Sequence, residues 1–307
     1  MFVLNKRRGI ALLITLLFII AITVSVGIGL KYLNTASNEV QKEKFIIQTR
    51  TAISDILKIL QKSKEIDYIV KNNSAEALYI FLSQSSFIPF ENAGVRMILQ
   101  IKSARSKFNP NMIMDKNITI QEQRAENLKE YISNNDINPV FVDIMLDTMG
   151  GIKEDLVYNS DIFYEKPELF RDRLVSLEHF NEIKDFFELT YHENSLKNID
   201  FDNLFYFSKD KNLKIDLNYA TAEVLEMILG VDKLRAKEIA QNKITYTKLD
   251  DMELSEDEKD MLSRFKTSFF EPYLDVKIEI IQDDNSAKIE FEYDLKARKG
   301  MNFSYDI

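Results

Sequence analysis

The stretch that decides the fold is Lys6-Arg7-Arg8-Gly9 followed by an uncharged run from Ile10 to Leu30. A helix over residues 10–30 would be about 32 Å long, enough to cross a hydrocarbon core of about 30 Å. These residues are therefore predicted to form a single transmembrane helix. The cations Lys6, Arg7 and Arg8 precede this helix and only Lys31 follows it closely. The positive-inside rule thus places the N-terminus in the cytoplasm and residues 31–307 on the other side of the membrane.

Three interpretations of this N-terminus compete. The first is an ordinary signal anchor that is never cleaved. The second is a cleaved secretory signal, but the apolar run exceeds the usual length of about 7–15 residues and no A-x-A site follows it. The third is a cut on the cytoplasmic side, at the junction of Gly9 and Ile10, that leaves the helix in place.

The junction resembles the N-terminus of type IV prepilins and of type II secretion pseudopilins. The resemblance implies a leader of residues 1–9, cleavage after Gly9 by a prepilin peptidase, and N-methylation of Ile10. Most pilins have Glu at the fifth mature position, where this chain has Ile14. The minor pseudopilin K component of type II secretion systems is similar in lacking that Glu, which implies a subunit at the tip of the filament.

Composition restricts the class of protein formed by the rest of the chain. The 307 residues carry a formal net charge of −9 and contain no cysteine. An acidic chain is poorly suited to bind phosphate backbones, so proteins or cations are the expected partners. Disulfides, thiol catalysis and cysteine-ligated metals are excluded, and stability has to come from core packing.

Apolar periodicity predicts an α+β fold with an inserted helical block. Helical spacing over residues 31–71 predicts that the membrane helix continues into solvent and packs on a small antiparallel sheet, as the pilin resemblance implies. Alternation predicts a strand at 95–103, a short strand ending at Pro110, and a hairpin of 274–280 with 287–293. Helices are predicted at 75–82, 119–133, 140–148, 167–173, 177–187, 221–229, 232–241 and 255–265. The pilin-like α+β domain thus comprises 31–118 and 270–307, and the all-α insertion comprises 119–269.

The sharpest internal motif runs from Lys214 through Asn218, Thr221 and Glu223 to Gly230. Thr221 is predicted to cap a short helix, Gly230 to end it in a left-handed conformation, and Asp232 to cap the next helix. The result is a helical hairpin with Val224, Leu225, Ile228, Val231, Leu234 and Ile239 facing inward.

The hairpin looks like a helix-hairpin-helix element, a family that includes DNA-binding proteins. In the DNA-binding members, Gly-rich hairpins hold a phosphate at a helix N-terminus. Here Gly230 is the only glycine of the hairpin, and Asp232 occupies the place where a phosphate would approach. Residues 215–225 are also similar to a motif of the K component that does not bind DNA, although Tyr219 replaces its usual Thr. Nucleic acid is therefore not expected as a partner.

Metal and enzyme chemistry have little support in the sequence. The K-type resemblance implies calcium held by acidic loops, and hard cations need several oxygen ligands. Asp143, Asp147, Glu154 and Asp155 flank the turn at Gly150-Gly151, but a solvated acidic turn explains them better. Calcium is kept as a candidate cofactor with no ligand assigned. No catalytic motif surrounds the two histidines, His179 and His192, which are predicted to lie on the surface. The chain is therefore not expected to be an enzyme.

The resemblance implies a minor pseudopilin at the tip of a type II secretion or related DNA-uptake pseudopilus. Its expected location is the inner membrane, crossed once, with the bulk of the chain in the periplasm. The expected partners are other minor pseudopilins, the major pseudopilin, the prepilin peptidase and an exported substrate. The alternative is a membrane-anchored helix-hairpin-helix DNA receptor for transformation. Protein secretion and DNA uptake are not distinguished by the sequence.

Overall fold

The computed structural model of the protein describes residues 39–92, 94–115, 117, 119–153, 157–241, 245–283 and 285–306. The predicted leader, the predicted transmembrane helix and the processing site lie outside these ranges, so the roles of Lys6, Arg7, Arg8, Gly9, Ile10 and Ile14 stay predictions. None of the helices within the described ranges is long and apolar enough to cross a membrane.

Three helices precede the first strand. Helix α1 comprises residues 39–62 of the described chain, α2 spans Lys64–Asn72 and α3 spans Ala75–Ser85. The prediction of one continuous helix to residue 71 is wrong, because Ser63 has an extended backbone with φ −64° and ψ 126°. The Ser63 hydroxyl accepts a hydrogen bond from the Ile66 amide at 3.2 Å and so caps a new helix.

The strands are β1 at Phe87–Asn92, β2 at Val95–Ser103, β3 at Ile215–Asp216, β4 at Thr267–Ser268, β5 at Tyr273–Gln282, β6 at Asn285–Asp294 and β7 at Lys299–Asp306. Five of them form one antiparallel sheet in the order β1-β2-β5-β6-β7, while β3 and β4 form a separate parallel pair. The predicted strand at 95–103 and the predicted C-terminal hairpin are confirmed. The short strand predicted to end at Pro110 is absent from the described residues, where Phe108 forms only an isolated bridge with Phe205.

A helical block lies between β2 and β5, which are neighbours in the sheet. Its helices are α4 at Glu122–Asn134, α5 at Val140–Met149, α6 at Ile162–Glu165, α7 at Leu177–Tyr191, α8 at Phe201–Leu204, α9 at Ala222–Leu229, α10 at Lys233–Ala240 and α11 at Glu256–Ser263. Ser103 of β2 and Leu274 of β5 are register partners, so the block leaves and rejoins the sheet at one place.

Two local predictions for this block are wrong. Residues 167–173 form turns and bends, and the Asp172 amide donates to the Thr148 carbonyl at 3.0 Å instead of to a carbonyl within a helix. Thr119 does not cap α4, whose N-cap residue is Gln121, without a side-chain hydrogen bond. The Thr119 amide instead donates to Asp115 Oδ1 at 2.8 Å within a preceding turn.

The buried side chains form two separate cores. One core lies between helices α1–α3 and the large sheet. The other lies inside the helical block and is rich in phenylalanine, with Phe180 making ring contacts at 5.2–5.9 Å with Phe141, Phe201, Phe205 and Phe207. The sheet and the block are therefore stabilised by different sets of contacts.

The direction of α1 relates the N-terminus of the described chain to the helical block. The last turns of α1 lie where the block joins the sheet, because Arg298 Nη1 donates to the Leu60 carbonyl at 3.5 Å. The helix buries side chains from Phe45 to Leu60, about 22 Å, against the sheet core. A helix crossing towards β1 would cover Ile88 and Phe90, which stay 41% and 49% exposed. Helix α1 therefore does not cover β1, and its C-terminal end lies at the end of the sheet that carries the block.

Candidate functional site

The hairpin of α9 and α10 forms as its capping residues predict. The Thr221 hydroxyl accepts from the Val224 amide at 3.2 Å and donates to the Asn203 carbonyl at 2.9 Å. Gly230 ends α9 with φ +64°. Leu234 is 70% exposed, so the prediction that it faces inward is wrong. Eight-residue helices present too few turns for periodicity alone to fix the buried face.

The N-terminus of α10 is already bound by protein groups. Asp232 Oδ1 accepts from the amides of Leu234 and Arg235, both at 2.9 Å. The Arg235 guanidinium bonds Glu258 Oε1 at 3.4 Å and the Glu253 carbonyl at 3.0 Å. The amides and the cation that a phosphate would need are therefore engaged within the hairpin region. Glu223, half-buried in the first turn of α9, adds further negative charge at this site.

Asn218 is a structural anchor of the motif. Its Nδ2 donates to the carbonyls of Tyr246 and Phe269 at 3.0 and 2.7 Å, and its Oδ1 accepts from the Tyr246 amide at 2.7 Å. These bonds connect the start of the hairpin with the segment that leads back to the sheet. Tyr219, the residue that departs from the family motif, packs against the sheet core instead of the block core.

Around the start of this motif lies a group of buried and half-buried ionisable side chains that the sequence analysis did not identify. We call it the joint, defined as Arg105, Asp216, Glu271 and Glu292, because it lies where the block meets the sheet. Arg105 and Glu292 are 3% and 9% exposed and form an ion pair. The guanidinium also stacks over Tyr273 at 4.2 Å. Since Arg105 follows β2 and Glu292 lies in β6, no local sequence signal could have paired them.

The second part of the joint is Asp216, which is fully buried in β3. Its Oδ1 accepts from the Asn218 amide at 3.1 Å and its Oδ2 accepts from the Glu271 amide at 2.8 Å. The Asp216 amide donates to the Arg105 carbonyl at 2.8 Å. Burial raises the pKa of Asp216 to about 7. Asp216 thus forms hydrogen bonds with Asn218 in the motif and with both chain segments, at Arg105 and at Glu271, that connect the block with the sheet.

The acidic turn suggested for calcium binds protein donors instead. Asp147 is fully buried, and its carboxylate accepts from Asn159 Nδ2 at 3.1 Å and from the Ser160 amide and hydroxyl at 2.8 and 2.9 Å. Asp143 forms an ion pair with Lys129 at 2.6 Å. Glu154 and Asp155 lie outside the described residues. Within the described ranges, no group of three or more His, Asp or Glu side chains could hold a metal. Asp143 and Asp147 therefore do not fit a calcium site.

The two histidines differ in their surroundings. His192 is exposed at the end of α7, as predicted. The prediction that His179 lies on the surface is wrong, because the residue is 6% exposed. Its Nδ1 accepts from the Val175 amide at 3.3 Å, and burial lowers its pKa. The hydrogen bond with Val175 at the start of α7 thus gives His179 a structural role.

Both edges of the sheet are poor templates for an added strand. In β1, the bond from the Ile101 amide to the Ser86 carbonyl sets the register, so that Ile88 and Phe90 point their amides at β2. Pro89, which has no amide hydrogen, therefore faces outward. In β7, the register shifts opposite Glu290 and Glu292, and such irregularities interrupt edge pairing. Contacts with other proteins are thus expected through side-chain surfaces.

We expect Gly230→Ala to lower the free energy of unfolding by about 1–2 kcal/mol, because alanine is strained at positive φ. Gly230→Asn is the matched control. Both changes add a Cβ, which would come 2.9 Å from the flexible end of Met261. Asparagine tolerates the left-handed region better and should lose less stability. Chemical denaturation measures both, and equal losses would assign the effect to crowding by Met261.

These features define an α+β protein in which a helix-covered antiparallel sheet carries a helical block between two adjacent strands. The fold is similar to that of a chain in the solved GspK-GspI-GspJ complex from the type 2 secretion system of enterotoxigenic Escherichia coli. The TM-score is 0.53 at 11% sequence identity, over 84% of this chain and 99% of that chain. The protein therefore has a pseudopilin-like fold. No protein-family model and no curated protein matches the chain.

Proposed function

We propose that the protein is a minor pseudopilin of the K type, acting at the tip of a type II secretion or related DNA-uptake pseudopilus. Its role would be assembly and substrate contact, without catalysis. The observation that carries the proposal is the helical block, which leaves the sheet between β2 and β5 at the end where α1 finishes. A filament built through the N-terminal helices would then carry the block at its distal end.

The anchor and the processing site follow from the N-terminal sequence. Residues 1–9 would be the leader, cut after Gly9, and residues 10–30 would cross the inner membrane once with the N-terminus in the cytoplasm. The remainder would lie in the periplasm, with a pilin-like domain of 31–118 and 270–307 and an insertion of 119–269. The separate sheet and block cores support two domains, but Phe108, Met112, Ile113 and Met114 pack in the block core, which favours a start of the insertion soon after Ser103 instead of at residue 119.

Ile14 supports the placement of this subunit at one end of the filament. A subunit without Glu at the fifth mature position would lack the carboxylate that pairs with a neighbouring N-terminus, so it would fit only an end of the filament. The proposed partners are the other minor pseudopilins and the major pseudopilin, with the exported substrate contacting the block. The prepilin peptidase would act on the chain before assembly.

The first test is the intact mass of the membrane-extracted chain, coexpressed with and without a prepilin peptidase. We expect loss of residues 1–9 and gain of one methyl group only when the peptidase is present. Gly9→Ala should prevent cleavage, whereas Gly27→Ala, the same change inside the apolar run, should not. A chain that remains intact with an active peptidase would contradict processing, and a start beyond Leu30 would contradict the anchor.

The second test separates assembly from DNA reception. The detergent-solubilised chain is mixed with the periplasmic parts of other minor pseudopilins and, separately, with duplex DNA at several salt concentrations. Copurification with the pseudopilins without DNA binding supports the proposal. Salt-dependent DNA binding, without pseudopilin association, would favour the DNA receptor. DNA binding through the hairpin is not expected, because Asp232 already accepts hydrogen bonds from the amides of Leu234 and Arg235.

A further inference from the structure

The joint contains a carboxylate whose burial is not compensated by a cation. Asp216 is fully buried, and none of the ion pairs among the described residues includes it. Its two oxygens accept from the amides of Asn218 and Glu271, which belong to the segments on either side of the joint. The two amide bonds favour the ionised carboxylate, but burial without a cation outweighs them, so the closed joint favours the protonated acid.

We propose that the joint is pH-sensitive, opening locally as the pH rises towards neutrality and closing on acidification. Opening would let water reach Asp216 and would release the Glu271 and Asn218 amides. The block would then be held to the sheet by fewer bonds. The change would take place between two intact cores, so neither the sheet nor the block has to unfold.

The other groups around Asp216 favour the same direction. Glu271, from the segment after β4, is a second carboxylate, and its charge disfavours ionisation of Asp216. Tyr219, from the turn after β3, is a neutral phenol at physiological pH, and burial raises its pKa further above the ordinary value. Arg105, from the segment after β2, directs its guanidinium to Glu292. No neighbouring group on these elements therefore offers a positive charge to an ionised Asp216.

The direction of the pH dependence follows from proton linkage. Because the pKa of Asp216 is raised from 3.8 to about 7, the stabilisation of the closed joint is complete below about pH 4 and is lost as the pH rises to about 7. The opening equilibrium constant should increase about tenfold per pH unit between about pH 4 and pH 7 and level off above that.

The test is hydrogen–deuterium exchange of the full chain in detergent between pH 5 and pH 8, corrected for intrinsic exchange rates. Protection of peptides covering 216–221 and 268–272 should fall about tenfold per pH unit up to about pH 7. Peptides from β6 should keep their protection. Protection that is independent of pH at the joint, or that falls in parallel in β6, would overturn the proposal.

Two variants assign the titrating group. Asp216→Asn should abolish the pH dependence, even if it lowers protection at every pH by losing one amide bond. Asp275→Asn is the matched control, because Asp275 is a second carboxylate near the joint whose pKa is raised by burial. Asp275→Asn should retain the pH dependence. Loss of the dependence in Asp275→Asn would overturn the assignment to Asp216.

Discussion

Replacing Arg105 with methionine is expected to lower the free energy of unfolding by about 3–5 kcal/mol, because it leaves Glu292 buried without its cation. Glu292 would keep only the bond from Asn302 Nδ2 at 2.8 Å. The ring contact between Arg105 and Tyr273 would be lost as well. Chemical denaturation of the detergent-solubilised chain, followed by circular dichroism, measures the change.

The double variant Arg105→Met with Glu292→Met provides the control for this prediction. When both charges are replaced by apolar groups, the desolvation penalty disappears, so the double variant should be more stable than Arg105→Met alone. The difference is the coupling between the two positions. A loss below about 1 kcal/mol for Arg105→Met would mean that water reaches Glu292 easily, in contradiction to the buried joint.

The second large effect is expected in the helical block, where Phe180→Ala should lower the free energy of unfolding by about 3–5 kcal/mol. Phe180 is completely buried among four other phenylalanines, with ring centroids 5.2–5.9 Å away. The change removes a large apolar side chain and these ring contacts, three of which are edge-to-face, and the rings around it cannot all close the cavity.

Phe170→Ala is the matched control for Phe180→Ala. Phe170 belongs to the same block but is 45% exposed, so its loss should cost less than about 1 kcal/mol. Hydrogen exchange should also locate the effect of Phe180→Ala in the block, because the sheet has a separate core. Equal losses of protection in β5 and β6 would show that the two cores unfold as one unit.

The parts of the fold that could be predicted are those in which the pattern of neighbouring residues alone indicates the secondary structure. Strand β5 alternates between buried and half-buried positions and β6 alternates between exposed and buried positions from Ser286 to Phe291, which a period of two detects. The β1 strand was not predicted, because Pro89 lies within it and apolar side chains lie on both of its faces. The β7 strand was not predicted either, because Gly300, Asn302 and a register shift break its alternation.

In the candidate site, too, local contacts could be predicted from the sequence and long-range contacts could not. Thr221, Gly230 and Asp232 act on residues two to four positions away, so their caps could be predicted from spacing alone. The Arg105–Glu292 pair joins residues far apart in the chain, and only the order of the strands in the sheet brings these two side chains together. Asp216 lies inside the predicted motif, but its burial depends on segments that no local pattern brings together.

The shared entry and exit of the helical block at Ser103 and Leu274 has a consequence for folding order. If β2 and β5 paired first, they would have to close a loop of about 170 residues, at an entropic cost of about 4–5 kcal/mol. A folded block holds its two ends about 5 Å apart, as a tight hairpin turn would. The central strands of the sheet are thus expected to meet only after the block has formed.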